Sequence, residues 1–174
     1  MKYLVKFFVV TFIVLVCTHT FAQSNVAYLD MKYILNNSKA GKGAQDFLKK
    51  SLKEKQKKFK ETEEALKKEE RTLLEKKDSI STEEYKKKAD TLRKKVIAYQ
   101  SDRRSSLDKI AQLRLDARSQ LIKKLNPILK SYLEENNISL IIDKKDVVLG
   151  NANLDITKII VDKLNKELPS LKLN

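Results

Sequence analysis

Histidine and cysteine occur once each in this 174-residue chain, tryptophan not at all, proline twice and glycine three times. Each scarcity excludes something. Cys17 and His19 both fall within the first 22 residues, which have the layout of a cleavable export signal. Lys2 and Lys6 make a positive start, Phe7 to Cys17 an apolar run with one threonine, and Thr20-Phe21-Ala22 a cleavage site. The apolar run is short for a bilayer span, and Val16 is not the small residue expected before a lipidated cysteine. Once residues 1–22 are removed, no Cys, His or Trp remains. Zinc centres, Cys or His nucleophiles and Ser-His-Asp triads all need residues this chain then lacks. No disulfide can staple it, despite an oxidising destination. No Gly-rich phosphate loop and no acidic cluster with cation-ligand spacing is visible. The composition argues against an enzyme, and no cofactor or metal is expected.

What the chain does have is helix. Ala44 to Asn126 runs for 83 residues without glycine or proline and is filled with Lys, Glu, Arg and Leu. Ser81-Thr82-Glu83-Glu84 has the form of a capping box, so the segment should fold back near Ile80 as a helical hairpin, with helices at about 44–78 and 82–125. In the first helix Leu52, Phe59, Leu66 and Leu73 recur every seventh residue, with Phe47 and Leu48 extending the stripe. In the second, Tyr85, Ala89, Leu92, Val96 and Tyr99 step by four and three, and Ile110, Leu113 and Ala117 resume the pattern. That is a narrow coiled-coil seam. Tyr85 and Tyr99 read as seam residues, with contact to a bound polypeptide as the competing reading.

The charge is concentrated in the same place. Of a net +14 for the whole chain, +11 lies between Lys42 and Lys124, where 26 basic residues face 15 acidic ones. Lys86, Lys87, Lys88, Arg93, Lys94 and Lys95 form the densest basic stretch. Such a field attracts anionic partners. Export demotes nucleic acid and leaves acidic polypeptides, lipid head groups or lipopolysaccharide.

Both chain ends look different. Asn25 to Asp30 reads as a strand and Met31 to Asn37 as a turn of helix, with Ser38 to Gly43 as a small-residue break. Pro127 should bend or restart the second helix, and Asn136-Asn137 should close it. Ile138 to Asp143 reads as a covered strand, Lys144-Lys145 as a turn and Val147 to Leu149 as a further strand. Asp155 can cap a last helix whose Ile156, Ile159, Ile160, Leu164 and Leu168 share a face. The expected division is an export signal at 1–22, a body at 23–41 and 126–174, and a hairpin arm at 42–125. The fold class is mainly α with a small β part. So small a sheet has open edges and a marginal core, which points to oligomerisation.

The strand Val26-Ala27-Tyr28-Leu29-Asp30-Met31, the long basic hairpin, Asn137 to Asp143, Val147-Val148-Leu149 and Asp155-Ile156-Thr157 together resemble the Skp/OmpH family of periplasmic chaperones. The resemblance covers essentially all of the chain beyond the export signal. It implies a jellyfish-shaped trimer whose body strands form a barrel, here through Val26, Tyr28, Leu140, Ile142 and Val147. It implies three arms around a cavity that holds unfolded outer-membrane proteins without ATP. The dense basic stretch at 86–88 and 93–95 reads as the client contact, with a merely solvated helix surface as the competing reading. Some members bind lipopolysaccharide through an Arg-containing arm stretch that Asp102-Arg103-Arg104 resembles, although Ser105 and Ser106 depart from it. Two other readings stand beside the holdase: a structural envelope coiled coil, and a binder of polyanions or lipopolysaccharide.

Overall fold

The computed structural model describes residues 25–173; the export signal expected at 1–22, with Cys17 and His19, lies outside them. The described chain runs β1 (Asn25–Leu29), α1 (Met31–Asn37), α2 (Lys39–Glu75), α3 (Thr82–Glu135), β2 (Ile138–Asp143) and α4 (Thr157–Glu167). Short 3-10 turns occupy Lys77–Ser79, Lys144–Asp146 and Ala152–Leu154.

α2 and α3 form the antiparallel hairpin that the sequence predicts. At 37 residues, α2 extends about 55 Å. Its seam residues Leu52, Phe59, Leu66 and Leu73 are half-buried, as are Tyr85, Ala89, Val96 and Tyr99 of α3, while Leu92, Ile110 and Ala117 are buried. Phe47, expected on the stripe, is instead exposed, and Leu48 takes the inward position. The register matches a fold-back around Ile80. Lys95 Nζ donates to both Glu69 carboxylate oxygens at 2.7 and 2.8 Å, and Tyr99 donates to Glu63 at 3.2 Å while meeting Phe59 edge-on.

Half of the expected capping box is present. The Ser81 hydroxyl accepts from the Glu84 amide at 3.2 Å, but the Glu84 carboxylate pairs with Lys88 at 2.7 Å. A full ammonium four residues on is a stronger partner for that carboxylate than a backbone amide.

Two expected breaks do not occur. Ser38 ends α1 and caps α2, accepting from the Gly41 amide, so Gly41 and Gly43 lie inside a helix. Gly41 is required by proximity. A Cβ there would stand 2.0 Å from the Leu35 carbonyl oxygen where α1 and α2 turn a corner. Pro127 also lies within one uninterrupted 54-residue helix. It forfeits a single ladder bond, and the burial of Leu125 and Ile128 on either side holds that stretch against the body.

In the body, β1 and β2 pair in parallel, with Val26 opposite Leu140 and Tyr28 opposite Ile142. The expected third strand at Val147–Leu149 is not formed; Val148 and Leu149 are fully exposed. The other edge of β1 is met instead by Asp155 and Ile156, whose amide donates to the Tyr28 carbonyl at 2.9 Å. Nor is β2 a covered strand within one chain, since Leu140 is 52% exposed. Beneath the sheet, Ala27, Leu29, Ile34, Leu121, Leu125, Ile128, Ile160 and Leu164 form one core drawn from both chain ends and α3. In α4, Ile159 faces outward and Val161 fills the inward position. Asn136 and Asn137 do close α3, with Asn137 at φ 51°, a left-handed conformation that asparagine tolerates.

Candidate functional site: the cationic clefts of the helical hairpin

The seam is narrow, so α2 and α3 leave an open groove on each side. Each encloses about 750 Å³. The first groove has a floor of Leu66, Leu73, Leu92, Val96 and Tyr99. Its rim carries Leu74 and Ile97, 57% and 60% exposed, between the cations Lys67, Arg93 and Arg103. The second groove is lined by Lys68, Lys76, Lys87 and Lys88 with Glu69 and Glu84.

The six basic residues singled out by sequence therefore do not make one patch. Arg93 lines the first groove, with Asp90 3.9 Å away; Lys87 and Lys88 line the second. Lys95 crosses the seam to Glu69, and Lys88 is held by Glu84, so both charges are partly spent on the hairpin itself. Lys86, Lys87, Lys94, Arg103 and Arg104 are exposed and have no ion-pair partner within 4.0 Å among the described residues. Tyr99 is a seam residue, fixed by Phe59 and Glu63; Tyr85 is a half-buried part of the first groove.

Electrostatics along the limb follow these pairs. The Lys67 ammonium beside Glu63 holds that carboxyl below its usual range, with help from Tyr99, and Glu63 in turn raises Lys67. Lys88 does the same to Glu84. Both carboxyls are thus held below their ordinary 4.5 by pairs within the limb, while the unpaired cations are exposed.

Sequence reasoning passed over a set of apolar residues that lie off the seam. Ile97 and Leu115 are both 60% exposed on α3, and Leu107 is 44% exposed. Eighteen residues are five helical turns, so Ile97 and Leu115 share one side of α3, with Lys86, Arg93 and Arg104 and the carboxylates Asp90 and Asp108 close to the same line. The signal was legible: these residues are apolar yet out of phase with the heptad. The result is a stripe of apolar side chains among three cations and two carboxylates, with Arg93 paired to Asp90 and Lys86 and Arg104 unpaired among the described residues.

The residues expected in the body are also placed. Val26, Tyr28, Leu140 and Ile142 form two cross-strand pairs on one face of the sheet. Val147 stands beside Tyr28, where a Cβ on Gly150 would touch both. Tyr28 is buried and donates to the Asn151 carbonyl at 3.1 Å. Lys144 pairs with Asp155 at 2.7 Å and lies over the Tyr28 ring. Asp155 also accepts from the Thr157 amide at 3.0 Å, but from one residue before the cap position, which Ile156 occupies instead of the expected Asp155.

Among the described residues, no group of His, Cys, Asp or Glu is arranged to hold a metal ion, and no helix is long and apolar enough to cross a membrane.

Comparison with known proteins places this architecture. A family model described as outer membrane protein (OmpH-like) matches residues 25–164. A crystal structure described as that of a candidate outer membrane chaperone (OmpH-like) from Caulobacter crescentus CB15 superposes with a TM-score of 0.81 at 24% sequence identity. The match covers 90% of this chain and 93% of that one. No curated protein sequence matches the chain.

Proposed function

The chain belongs to the OmpH-like outer membrane protein family, and from that premise we propose that it is an ATP-independent holdase chaperone of the periplasm. Residues 1–22 act as the export signal, 23–41 and 126–174 as an oligomerisation body, and 42–125 as the client-binding arm. Its clients are unfolded outer-membrane β-barrel proteins, kept from aggregating in a cavity between arms.

The observation that carries the reading is the stripe on α3. Exposed Ile97 and Leu115 stand in line with Lys86 and Arg104, neither of which has an ion-pair partner among the described residues. An unfolded acidic polypeptide with apolar segments meets long-range attraction first and short-range apolar contact second. Each contact is weak, so many together retain a client that still escapes when it folds or inserts. No hydrolytic step is needed for that cycle.

The assembly is a trimer in this proposal. Its support is the exposed apolar surface of one chain's body: Leu140 on the open β2 edge is half exposed, and Val148 and Leu149 beyond the sheet are fully so, a surface that invites pairing with another copy. The test uses the chain without residues 1–22 and no nucleotide. The native mass should be that of a trimer, and aggregation of a diluted, urea-unfolded β-barrel protein should be suppressed. An elongated dimer without effect on aggregation would instead indicate an envelope coiled coil. Equal, salt-sensitive binding of every polyanion, folded or not, would favour the polyanion or lipopolysaccharide reading, with Arg103 and Arg104 as the anion contacts.

A further inference from the structure

A third concavity lies where the limb joins the body. It encloses about 460 Å³ between α1, α2, α3 and the turn after β2. Its floor is apolar, with Leu48, Ala117 and Leu121 buried and Leu35 half-buried. Around it stand Lys32 from α1, Arg114 and Arg118 one turn apart on α3, and Lys145 from the turn after β2. All four are exposed, and none has an ion-pair partner within 4.0 Å among the described residues. The single carboxylate in the lining, Asp143, accepts from the Lys145 amide at 3.3 Å.

Four cations brought by separate elements around an apolar floor fit a partner that is anionic and amphipathic. A further feature narrows the choice to polypeptide. Asn36 and Gln45 stand at the groove with their side-chain amides joined, Gln45 Nε2 donating to Asn36 Oδ1 at 2.9 Å. That bond leaves the Asn36 NH₂ and the Gln45 carbonyl oxygen without a hydrogen-bond partner among the described residues, a donor and an acceptor of the kind an extended backbone needs. A lipid acyl chain has no use for them.

We propose that this groove docks an extended acidic segment of the unfolded client, its apolar side chains on the floor and its carboxylates on Lys32, Arg114, Arg118 and Lys145. The inference rests on the holdase reading and adds a second contact, at the root of the arm rather than along it. Two separated contacts raise retention through effective concentration while each alone remains weak.

The test is photo-crosslinking on the intact oligomer. The probe is a short synthetic peptide alternating glutamate with a photoreactive leucine analogue; a glutamine-for-glutamate peptide is the control. Crosslinks should fall on the root, at Met31, Leu35, Leu48 or Leu121, and be weak with the control. Arg114→Glu/Arg118→Glu should reduce them about tenfold, and Lys32→Glu/Lys145→Glu should do so independently. Arg114→Lys/Arg118→Lys should retain them, with unchanged far-ultraviolet circular dichroism in all variants.

Crosslinks confined to the limb near Ile97, or undiminished by either charge reversal, would overturn the inference. So would a root left unlabelled because another copy covers it, or loss of labelling to vesicles of phosphatidylglycerol. Aggregation suppression by the unmodified protein, run in parallel, separates the two claims. Suppression without root labelling removes the groove and leaves the holdase; no suppression removes the holdase and the client as the groove's occupant.

Discussion

Two glycines two positions apart on α2 have opposite meanings. At Gly41 a Cβ would collide with the Leu35 backbone, whereas at Gly43 nothing lies within 4 Å. Gly43→Ala should raise stability by up to about 1 kcal/mol, since alanine is the better helix former. Gly41→Ala should lower it by about 2 kcal/mol or more, because α1 must move. Urea titration followed by circular dichroism checks both signs. Asp155 carries a second prediction. Partial burial pushes its carboxyl up, but the hydrogen bonds from Lys144 and Thr157 outweigh this and hold it below its ordinary 3.8. A depressed carboxyl contributes stability above the unfolded value, lost as pH falls through the folded one. Melting temperature should therefore decline on acidification below about pH 4. Asp155→Asn should melt lower at neutral pH and lose less on acidification, and a steeper acid loss than the parent would contradict the assignment. Glu63, Glu84 and Glu135 are depressed too, so some acid dependence remains in the variant.

At the level of the helices, the limb owes its pairing to a thin seam. Leu92 is its one buried residue between the tip and Ile110, and it borders both grooves. Leu92→Ala should cost about 2–3 kcal/mol locally, toward the low end for a core leucine because the site can collapse. The loss should appear as faster amide exchange across residues 59–99, with the body unaffected. Uniform destabilisation would mean that limb and body unfold as one unit. Helical periodicity foretold this seam almost residue by residue. It missed the exposed Ile97 and Leu115 because a heptad search discards what is out of phase, and it grouped Lys86 to Lys95 as one patch because neighbours in sequence point around a helix. It also read Pro127 and Gly41 as breaks, since the packing that tolerates one and requires the other lies outside any local window.

Across the whole molecule, the buried core lies in the body and the charge on the limb. A two-stranded sheet with Leu140 exposed, followed by the exposed Val148 and Leu149, has apolar surface to lose to a second copy. Val148→Asp/Leu149→Asp should shift the native mass toward the monomer while leaving the hairpin's helicity intact, as read by light scattering and circular dichroism. Unchanged mass would place the subunit contact elsewhere on the body.

Helicity, hairpin and seam were inherent in the order of side chains, because helix and cap depend on residues within a turn or two and the fold-back at the tip sets the register in which the two stripes meet. So was the cationic excess, a sum that needs no coordinates. Contacts between distant segments had to await the folded chain. Val147–Leu149 has the composition of a strand, yet the place beside β1 goes to Asp155 and Ile156, since pairing depends on which segment the preceding turn delivers. The root groove is of the same kind. Lys32, Arg114, Arg118 and Lys145 span more than a hundred residues of chain, and only the packing of α1 against the limb makes them neighbours.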